Sequence, residues 1–429
     1  MSKKDKNIDP ELKYMPIVQQ IPNLKLNIFT ESGDSILFST NIDYPRAEYG
    51  FHHFIHLTKM KTEILKTKFE GKKKVYLVMN QFEGNIDNHE NSIDNIAKKY
   101  FSLKSNIVNN DFYKLWEIMI LFDFIDSKDK DKLVSIHLSD NSGTFCQSTI
   151  CYRETFSKNT KSDKHYNFFI TGPNLQEPDS TIKSYFKEKK VVNKGTSINE
   201  LFNEKFEKAD LITANGNSEE NNVQEQGLFK LLVSQIYCAL KSQKKGGTFV
   251  CRFFETFTKT SIKLITLLAY MYDKIYFIKP LISNFLSSER YIVCINFNDN
   301  KSKDKIIKEL GETIKEINKN TNLKIVDLYS NLEIPKNIIH SVINMNINIT
   351  NNQIKSINEI ISFVNKEIYF GEEYHKRREQ QIEGSEYWIN LFLPNEKRKD
   401  MYKDIINHVI NEQNDKTTEL AEKLVFVET

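Results

Sequence analysis

Apolar residues recur every three or four positions in several stretches of the chain, and this spacing predicts helices. The spacing is clearest in FYKLWEIMILFDFI (residues 112–125) and in GLFKLLVSQIYCALK (residues 227–241). Helices are also predicted at residues 198–208 and 260–272. Each of the two clearest helices has one continuous apolar face, which indicates that it packs on a core.

Short apolar runs lie between these helices and predict strands. They are LVSIHLS (133–139), YNFFIT (166–171), DLITA (210–214), TFVCRFF (248–254), KIYFIKP (274–280) and RYIVCINF (290–297). Alternating strands and helices predict an α/β fold with a mostly parallel sheet that is covered on both faces. No helix separates the last two strands, so one of them is predicted to be antiparallel. Ligands bind beyond the carboxyl ends of such strands, which directs attention to residues 139, 214 and 252.

The remaining segments flank this region, and the length of 429 residues allows two or three domains. Residues 1–105 are predicted to be an N-terminal α+β extension, with strand-like runs at Ile36–Phe38 and Val75–Met79. Residues 106–300 are the predicted α/β domain. Residues 301–429 are predicted to be a mainly helical C-terminal region.

Within the C-terminal region, residues 303–319 predict an exposed amphipathic helix, residues 324–330 a strand, and residues 350–429 further helices. Basic residues cluster at His375–Arg378 and at Lys397–Lys399. The net charge of +3 does not by itself indicate nucleic-acid binding. Such clusters are most often solvated helix faces, and an RNA-contacting face is the alternative.

The five cysteines do not form a Cys-x-x-Cys pair, and their number is odd. This pattern favours free, buried thiols in a reducing compartment and disfavours a structural zinc site. The first residues lack an apolar signal-peptide segment, and no apolar run is long enough to span a membrane. We therefore expect a cytoplasmic protein without a membrane partner.

Three histidines, His52, His53 and His56, lie close together in FHHFIH. A metal site needs further ligands at compatible positions, and the neighbouring sequence offers none. A packed or surface histidine cluster is therefore the favoured interpretation, and a ligand or cap-contact role is the alternative. No metal is expected.

Residues 110–297 resemble the FtsJ-like ribose 2'-O-methyltransferases, most closely the cap-type branch of eukaryotes and large cytoplasmic DNA viruses. The run KKGGTFVCRFF…KPLIS…SERYIV within residues 244–297 is similar to the second half of that domain. FYKLWEI (112–118) resembles its first helix, and DLITANG (210–216) resembles the segment that supplies a catalytic Asp. The resemblance implies a Rossmann-like methyltransferase fold.

The resemblance also implies a reaction centre and a cofactor. The family's Lys-Asp-Lys-Glu tetrad falls on Lys114, Asn215, Arg252 and Glu289. The implied cofactor is S-adenosylmethionine, whose glycine-rich loop corresponds to Asp140, Asn141, Ser142, Gly143, Thr144 and Phe145.

Three positions depart from the family's pattern. A ribose 2'-hydroxyl must lose its proton as it attacks the methyl group, and an amine of lowered pKa can take that proton. Arg252 cannot, because a guanidinium has a pKa above about 12. Asn215 lacks the charge of the Asp it replaces, and Thr144 replaces a glycine of the cofactor loop.

The resemblance and these departures together leave two functions open. The favoured one is a family member with weakened or lost catalysis that acts in mRNA processing by binding RNA or a partner subunit. The alternative is an active S-adenosylmethionine-dependent mRNA cap 2'-O-methyltransferase that uses Lys114 with Arg252 and Glu289. RNA, with capped mRNA as one candidate, is the implied partner. If the protein is viral, we expect it in the viral factory or the virion.

Overall fold

The structure is a computed structural model of the whole chain. It describes residues 14–25, 37–39, 49–61, 80–86, 89–103, 107–125, 131–171, 177–201, 203–205, 207–216, 224–298, 301–320, 324–329, 332–366, 371–393, 406–407 and 410–411.

Ten strands are defined among these residues. They are β1 (Ile17–Ile21), β2 (Leu37–Ser39), β3 (Val134–Leu138), β4 (Lys164–Ile170), β5 (Val192–Thr196), β6 (Ala209–Ala214), β7 (Gln243–Phe253), β8 (Tyr272–Lys279), β9 (Arg290–Phe297) and β10 (Lys324–Asp327). Eight of them form one sheet in the order β1-β8-β9-β7-β6-β3-β4-β5, and β2 pairs with β10 separately. The strands from β7 to β5 in this order are parallel, whereas β9 is antiparallel to both β7 and β8.

Helices cover both faces of the sheet. In the described chain they are α1 (Tyr49–Met60), α2 (Ile93–Tyr100), α3 (Asp111–Phe122), α4 (Thr144–Phe156), α5 (Ser180–Glu188), α6 (Ile198–Leu201), α7 (Gln224–Gly227), α8 (Phe229–Ser242), α9 (Lys259–Met271), α10 (Lys301–Lys319), α11 (Lys336–Asn365) and α12 (Glu372–Phe392).

The central strands are hydrophobic because both of their faces are covered. Every residue of β3 and of β6 is buried. Successive residues of β7 face opposite sides, so Cys251 lies in the apolar cluster that includes α8 and α9, and Val250 lies in the cluster that includes α3. This alternation turns the side chain of Cys251 away from that of its neighbour Arg252.

The predicted fold class, a mostly parallel α/β sheet with a helical C-terminal region, is confirmed. The antiparallel strand is β9, whose bounds match the prediction. The helix predicted at residues 198–208 is wrong beyond Leu201, where α6 ends. Strand β5 was not predicted, because at the sheet edge its residues alternate between exposed and half-buried and its sequence, VNKGT, is polar.

Other predictions differ at element boundaries or cannot be compared. Helix α11 begins at Lys336, earlier than the predicted helical region from residue 350, and the strand at 324–330 ends at Asp327. The runs Val75–Met79 and Lys397–Lys399 lie outside the described residues.

The C-terminal helices share the core of the sheet domain. The indole of Trp116 in α3 donates a hydrogen bond of 2.6 Å to the backbone oxygen of Phe392 at the end of α12. The indole of Trp388 in α12 donates one of 3.1 Å to the carboxylate of Glu117 in α3. Trp388 is fully buried and its ring packs edge-on against Tyr113. The domain boundaries at residues 105 and 300 stay a prediction.

The cysteines and the helices can also be compared with what the sequence predicts. All five cysteines are free and buried. Within the described ranges, none of the helices combines the length and the apolarity that crossing a lipid bilayer requires.

We expect Trp388→Ala to lower the free energy of unfolding by about 3–5 kcal/mol, because it opens a cavity between α12 and α3 and leaves Glu117 without its indole donor. Urea unfolding followed by circular dichroism measures this change. Val192→Ala is the control, because Val192 is 51% exposed and its loss should cost within about 0.5 kcal/mol. Equal effects of the two substitutions would contradict the shared core.

Candidate active site

Four side chains from distant parts of the sequence lie together at the carboxyl edge of the parallel strands. Lys114 lies in the first turns of α3, Asn215 follows β6, Arg252 is next to the end of β7, and Glu289 precedes β9. The Lys114 Nζ lies 2.8 Å from Glu289 Oε1, and the Arg252 Nη2 lies 2.6 Å from Glu289 Oε2. The Arg252 Nη1 donates to Asn215 Oδ1 at 3.1 Å. The chemical role of each residue stays a prediction.

A fifth residue, Asp111, joins this cluster and was not singled out from the sequence. Its Oδ1 lies 2.7 Å from the Lys114 Nζ, and its Oδ2 lies 3.3 Å from the Arg252 Nη1. Asn215 donates to the same Oδ2 at 3.2 Å. The available signal was the spacing of three residues between Asp111 and Lys114, which places them on one helix face. Asp111 supplies the negative charge that Asn215 lacks.

The cluster is nearly buried, and its charges balance. Side-chain exposure is 9% for Lys114, 8% for Arg252, 6% for Glu289 and 16% for Asp111. Burial raises the pKa of Glu289, but Arg252 and Lys114 outweigh it and hold the pKa far below its ordinary value. The same two cations lower the pKa of Asp111 against the effect of burial. Both carboxyl groups are therefore ionised at neutral pH.

Two buried residues hold the loop that leads to Glu289. Glu117 accepts hydrogen bonds from the backbone of Leu281 at 2.6 Å and of Ile282 at 3.4 Å. Lys279 donates to the backbone oxygens of Ser287 and Glu289 at 2.8 and 2.9 Å. Burial lowers the pKa of Lys279 to about 7. These contacts fix the position of Glu289 relative to α3, which carries Glu117.

The predicted cofactor loop, residues 140–145, connects β3 to α4. Asp140 is fully buried, and its Oδ2 accepts from the backbone N–H groups of Phe145 and Cys146 at 2.9 and 3.1 Å. Among the residues that the structure describes, none lies within hydrogen-bond distance and geometry of its Oδ1. Burial raises the pKa of Asp140 to about 6. A buried carboxylate oxygen without a donor fits a positively charged ligand such as S-adenosylmethionine.

The rest of the loop is tightly packed. Gly143 has a positive φ of 72°, and a Cβ there would lie 2.7 Å from the ring of Phe186. The Thr144 hydroxyl lies 2.8 Å from that of Ser142, and the Thr144 side chain is fully buried. The amide of Asn141 donates to the backbone oxygen of Ile170 at 2.8 Å, which fastens the loop to β4.

A small cleft, open to solvent, lies beside the cluster. Arg252 lines it, together with Gly216 after β6 and Gln235 and Leu231 of α8. Glu255, which follows β7, also lines the cleft. The cleft therefore gives a ligand access to Arg252, the central cation of the cluster.

Comparison with known proteins finds a family model that matches this region. Residues 107–297 match the family model of the FtsJ-like methyltransferases. A solved structure of a ribosomal RNA methyltransferase from Plasmodium falciparum is similar at 18% identity and a TM-score of 0.33, covering 45% of this chain and 100% of that chain.

Curated relatives fall into two groups. An uncharacterized protein of Acanthamoeba polyphaga mimivirus is 24% identical over 374 residues, which cover 87% of this chain and 88% of that protein. Cap-specific mRNA (nucleoside-2'-O-)-methyltransferase 1 of Trypanosoma cruzi is 40% identical over 76 residues, 18% of this chain and 21% of that protein. The mouse enzyme of the same name is 40% identical over 75 residues, 18% and 9% of the two chains. This chain thus matches about a fifth or less of these two cap methyltransferases.

We expect Asp111→Asn to lower the free energy of unfolding by about 2–4 kcal/mol, because Lys114 and Arg252 would then share one carboxylate. Adding Asn215→Asp returns a carboxylate to a neighbouring position and should recover at least half of the loss. Urea unfolding at pH 7 of the wild type, both single variants and the double variant gives the coupling energy.

Asn215→Asp alone is the matched control, because it adds a third carboxylate to a balanced cluster and should not stabilise the protein. If the losses of unfolding free energy in the two single variants simply add in the double variant, a carboxylate at position 215 does not substitute for one at position 111.

Proposed function

Since residues 107–297 match the FtsJ-like methyltransferase family model, we propose that this domain binds RNA and S-adenosylmethionine but transfers the methyl group only slowly. The observation that carries the proposal is the Arg252 guanidinium at the centre of the charged cluster. The resemblance expects a lysine at this position, and the other members of the cluster are arranged around it.

The guanidinium of Arg252 contacts three other members of the cluster. Its Nη1 contacts Asp111 and Asn215, and its Nη2 contacts Glu289. Burial lowers the pKa of Arg252, but Asp111 and Glu289 outweigh it and raise the pKa well above its ordinary value. A guanidinium in this setting orients and stabilises negative charge, and it does not take a proton from a ribose hydroxyl.

The buried carboxyl group of Asp140 supports cofactor binding. S-adenosylmethionine supplies an electrophilic methyl group on a sulfonium, and it also carries an ammonium group. The unpartnered Oδ1 of Asp140 can accept from a cationic ligand at the same edge of the sheet as Lys114 and Arg252. In this proposal residues 140–145 hold the cofactor, and the charged cluster orients the RNA.

The names of the similar proteins support capped mRNA as the class of RNA that is bound. The cap-specific mRNA methyltransferases match this chain over a short segment, and the mimivirus protein matches most of its length. We therefore propose that the ligand is capped mRNA and that the protein acts in mRNA processing, with a partner subunit as a further candidate. A cytoplasmic site of action, in a viral factory or virion if the source is viral, belongs to the same proposal.

Lys114 favours a second candidate, an active cap 2'-O-methyltransferase. Its Nζ lies in the same cluster as Arg252, within 3.0 Å of both oxygens of Glu289, and its side chain is 9% exposed. Movement of Lys114 away from Asp111 when RNA binds would make its amine available to the ribose hydroxyl. In that case Arg252 and Glu289 would position Lys114.

We expect the triple variant Asp111→Asn, Asn215→Asp, Arg252→Lys to transfer methyl groups at least about tenfold faster than the wild type. It restores the family tetrad and keeps two cations and two carboxylates in the cluster. The assay measures radiolabelled methyl transfer to capped RNA and to the same RNA without a cap. Arg252→Met is the control, and it should remain at or below the wild-type rate.

Lys114→Ala separates the two candidates. If the wild type turns over fast and Lys114→Ala abolishes this turnover, the protein is the active methyltransferase of the second candidate and not the slow one of the first. An unchanged rate in a folded triple variant that binds S-adenosylmethionine would contradict the assignment of the tetrad.

We expect the affinity for S-adenosylmethionine to fall about tenfold between pH 7.5 and pH 5. The Asp140 carboxyl has a pKa of about 6, so it is ionised above pH 6 and becomes neutral below it. Isothermal titration calorimetry at the two pH values measures the change. Asp140→Asn should bind weakly at both, with its folding checked by circular dichroism. Equal affinity at both pH values would contradict the role of Asp140, and undetectable binding would contradict the cofactor proposal.

A further inference from the structure

A second cluster of potential ligands includes Glu255, which lines the cleft. His52 and His56 are four residues apart on one face of α1, and Glu255 lies two residues after the end of β7. The Nε2 atoms of the two histidines are 2.9 Å apart. Glu255 Oε2 lies 3.9 Å from the Nε2 of His52 and 3.5 Å from that of His56.

The fold holds these three side chains in place. Ile55 on the adjoining face of α1 is buried, and α1 packs against α11. The ring of His52 packs edge-on against Phe257, which belongs to the same connection as Glu255. The side chain of Glu255 is only 4% exposed. The cluster is therefore a packed feature of the fold and does not depend on mobile surface side chains.

The spacing of the donor atoms matches a tetrahedral metal site. Zinc binds imidazole nitrogen and carboxylate oxygen at about 2.0–2.2 Å, which places neighbouring donors about 3.3 Å apart. The three separations here, 2.9, 3.5 and 3.9 Å, lie on either side of this value. Small rotations of the side chains would bring all three atoms around one ion. Two imidazoles and one carboxylate leave the fourth position open.

The alternative is a network of ion pairs without a metal. Lys59 binds Glu255 through its other oxygen, Oε1, so one buried carboxylate already has one cation. His56 also faces the carboxylate at 3.5 Å, but both histidines cannot serve as charged counterions together, because two protonated imidazoles 2.9 Å apart would repel each other. Two neutral imidazoles facing a carboxylate oxygen are the arrangement that a divalent ion completes.

We propose that His52, His56 and Glu255 bind a divalent transition-metal ion, with zinc as the best match. Glu255 also lines the cleft that contains Arg252, so the ion lies at the rim of that cleft. It fastens α1 to the connection between β7 and α9, and its fourth position accepts water. This proposal stands independently of methyl transfer.

The test measures zinc binding to the full chain after removal of metals with a chelator. Titration with Zn²⁺ against a chromophoric competitor should show one ion per chain, and His52→Ala or His56→Ala should weaken binding by about 100-fold. His53→Ala is the matched control, because His53 is an exposed histidine of the same helix, and it should bind as the wild type does. Zinc should also raise the melting temperature of the wild type and of His53→Ala, but not of His52→Ala.

Two further measurements make the result decisive. Lys59→Met removes the competing cation and should bind zinc more tightly, whereas a pure ion-pair network would only lose stability. Co²⁺ bound to the wild type should give the visible absorption of a tetrahedral site with nitrogen and oxygen ligands. Thiolate charge-transfer absorption, which would locate the ion at a cysteine, or zinc binding unchanged by both histidine substitutions would overturn the proposal.

Discussion

Balance between two buried cations and two buried carboxylates holds the centre of this protein together. Lys114 and Arg252 each contact Asp111 and Glu289, and these four groups come from α3, β7 and the loop before β9. A buried charge without a partner costs several kcal/mol, so the loss of one member leaves a cost that the others cannot relieve. Asn215 carries no charge, and the second carboxylate of the cluster comes from the neighbouring Asp111.

The charged cluster is held in place by contacts between residues that are far apart in the sequence. Glu117, on the helix that carries Lys114, accepts hydrogen bonds from the backbone of Leu281 and Ile282. The indole of Trp388 donates to the same carboxylate, so the C-terminal helix α12 supports the arrangement. The position of Glu289 therefore depends on contacts that join the helix, the loop and the C-terminal region.

Two residues that line the cleft, Arg252 and Glu255, belong to clusters of different chemical character. Around Arg252 both cations are paired with carboxylates, and the guanidinium itself cannot take up a proton at neutral pH. Around Glu255, the imidazoles of His52 and His56 face a carboxylate oxygen, and these three donors suit a metal ion. The sheet domain matches the FtsJ-like methyltransferase family model, and the residues around its cleft carry both a charged cluster and a set of potential metal ligands.

The sequence by itself determined six strands of the sheet, because strands buried on both faces are rich in apolar residues, and its resemblance to a known family pointed to the four positions that meet at the sheet edge. It did not reveal β5, whose sequence is polar at the sheet edge, or the role of Asp111, whose spacing from Lys114 is common on helix surfaces. Only the tertiary structure decided that Asp111 joins the cluster and that Glu255 meets His52 and His56. Both contacts join residues more than a hundred positions apart, and local periodicity carries no information about which distant side chains the fold brings together.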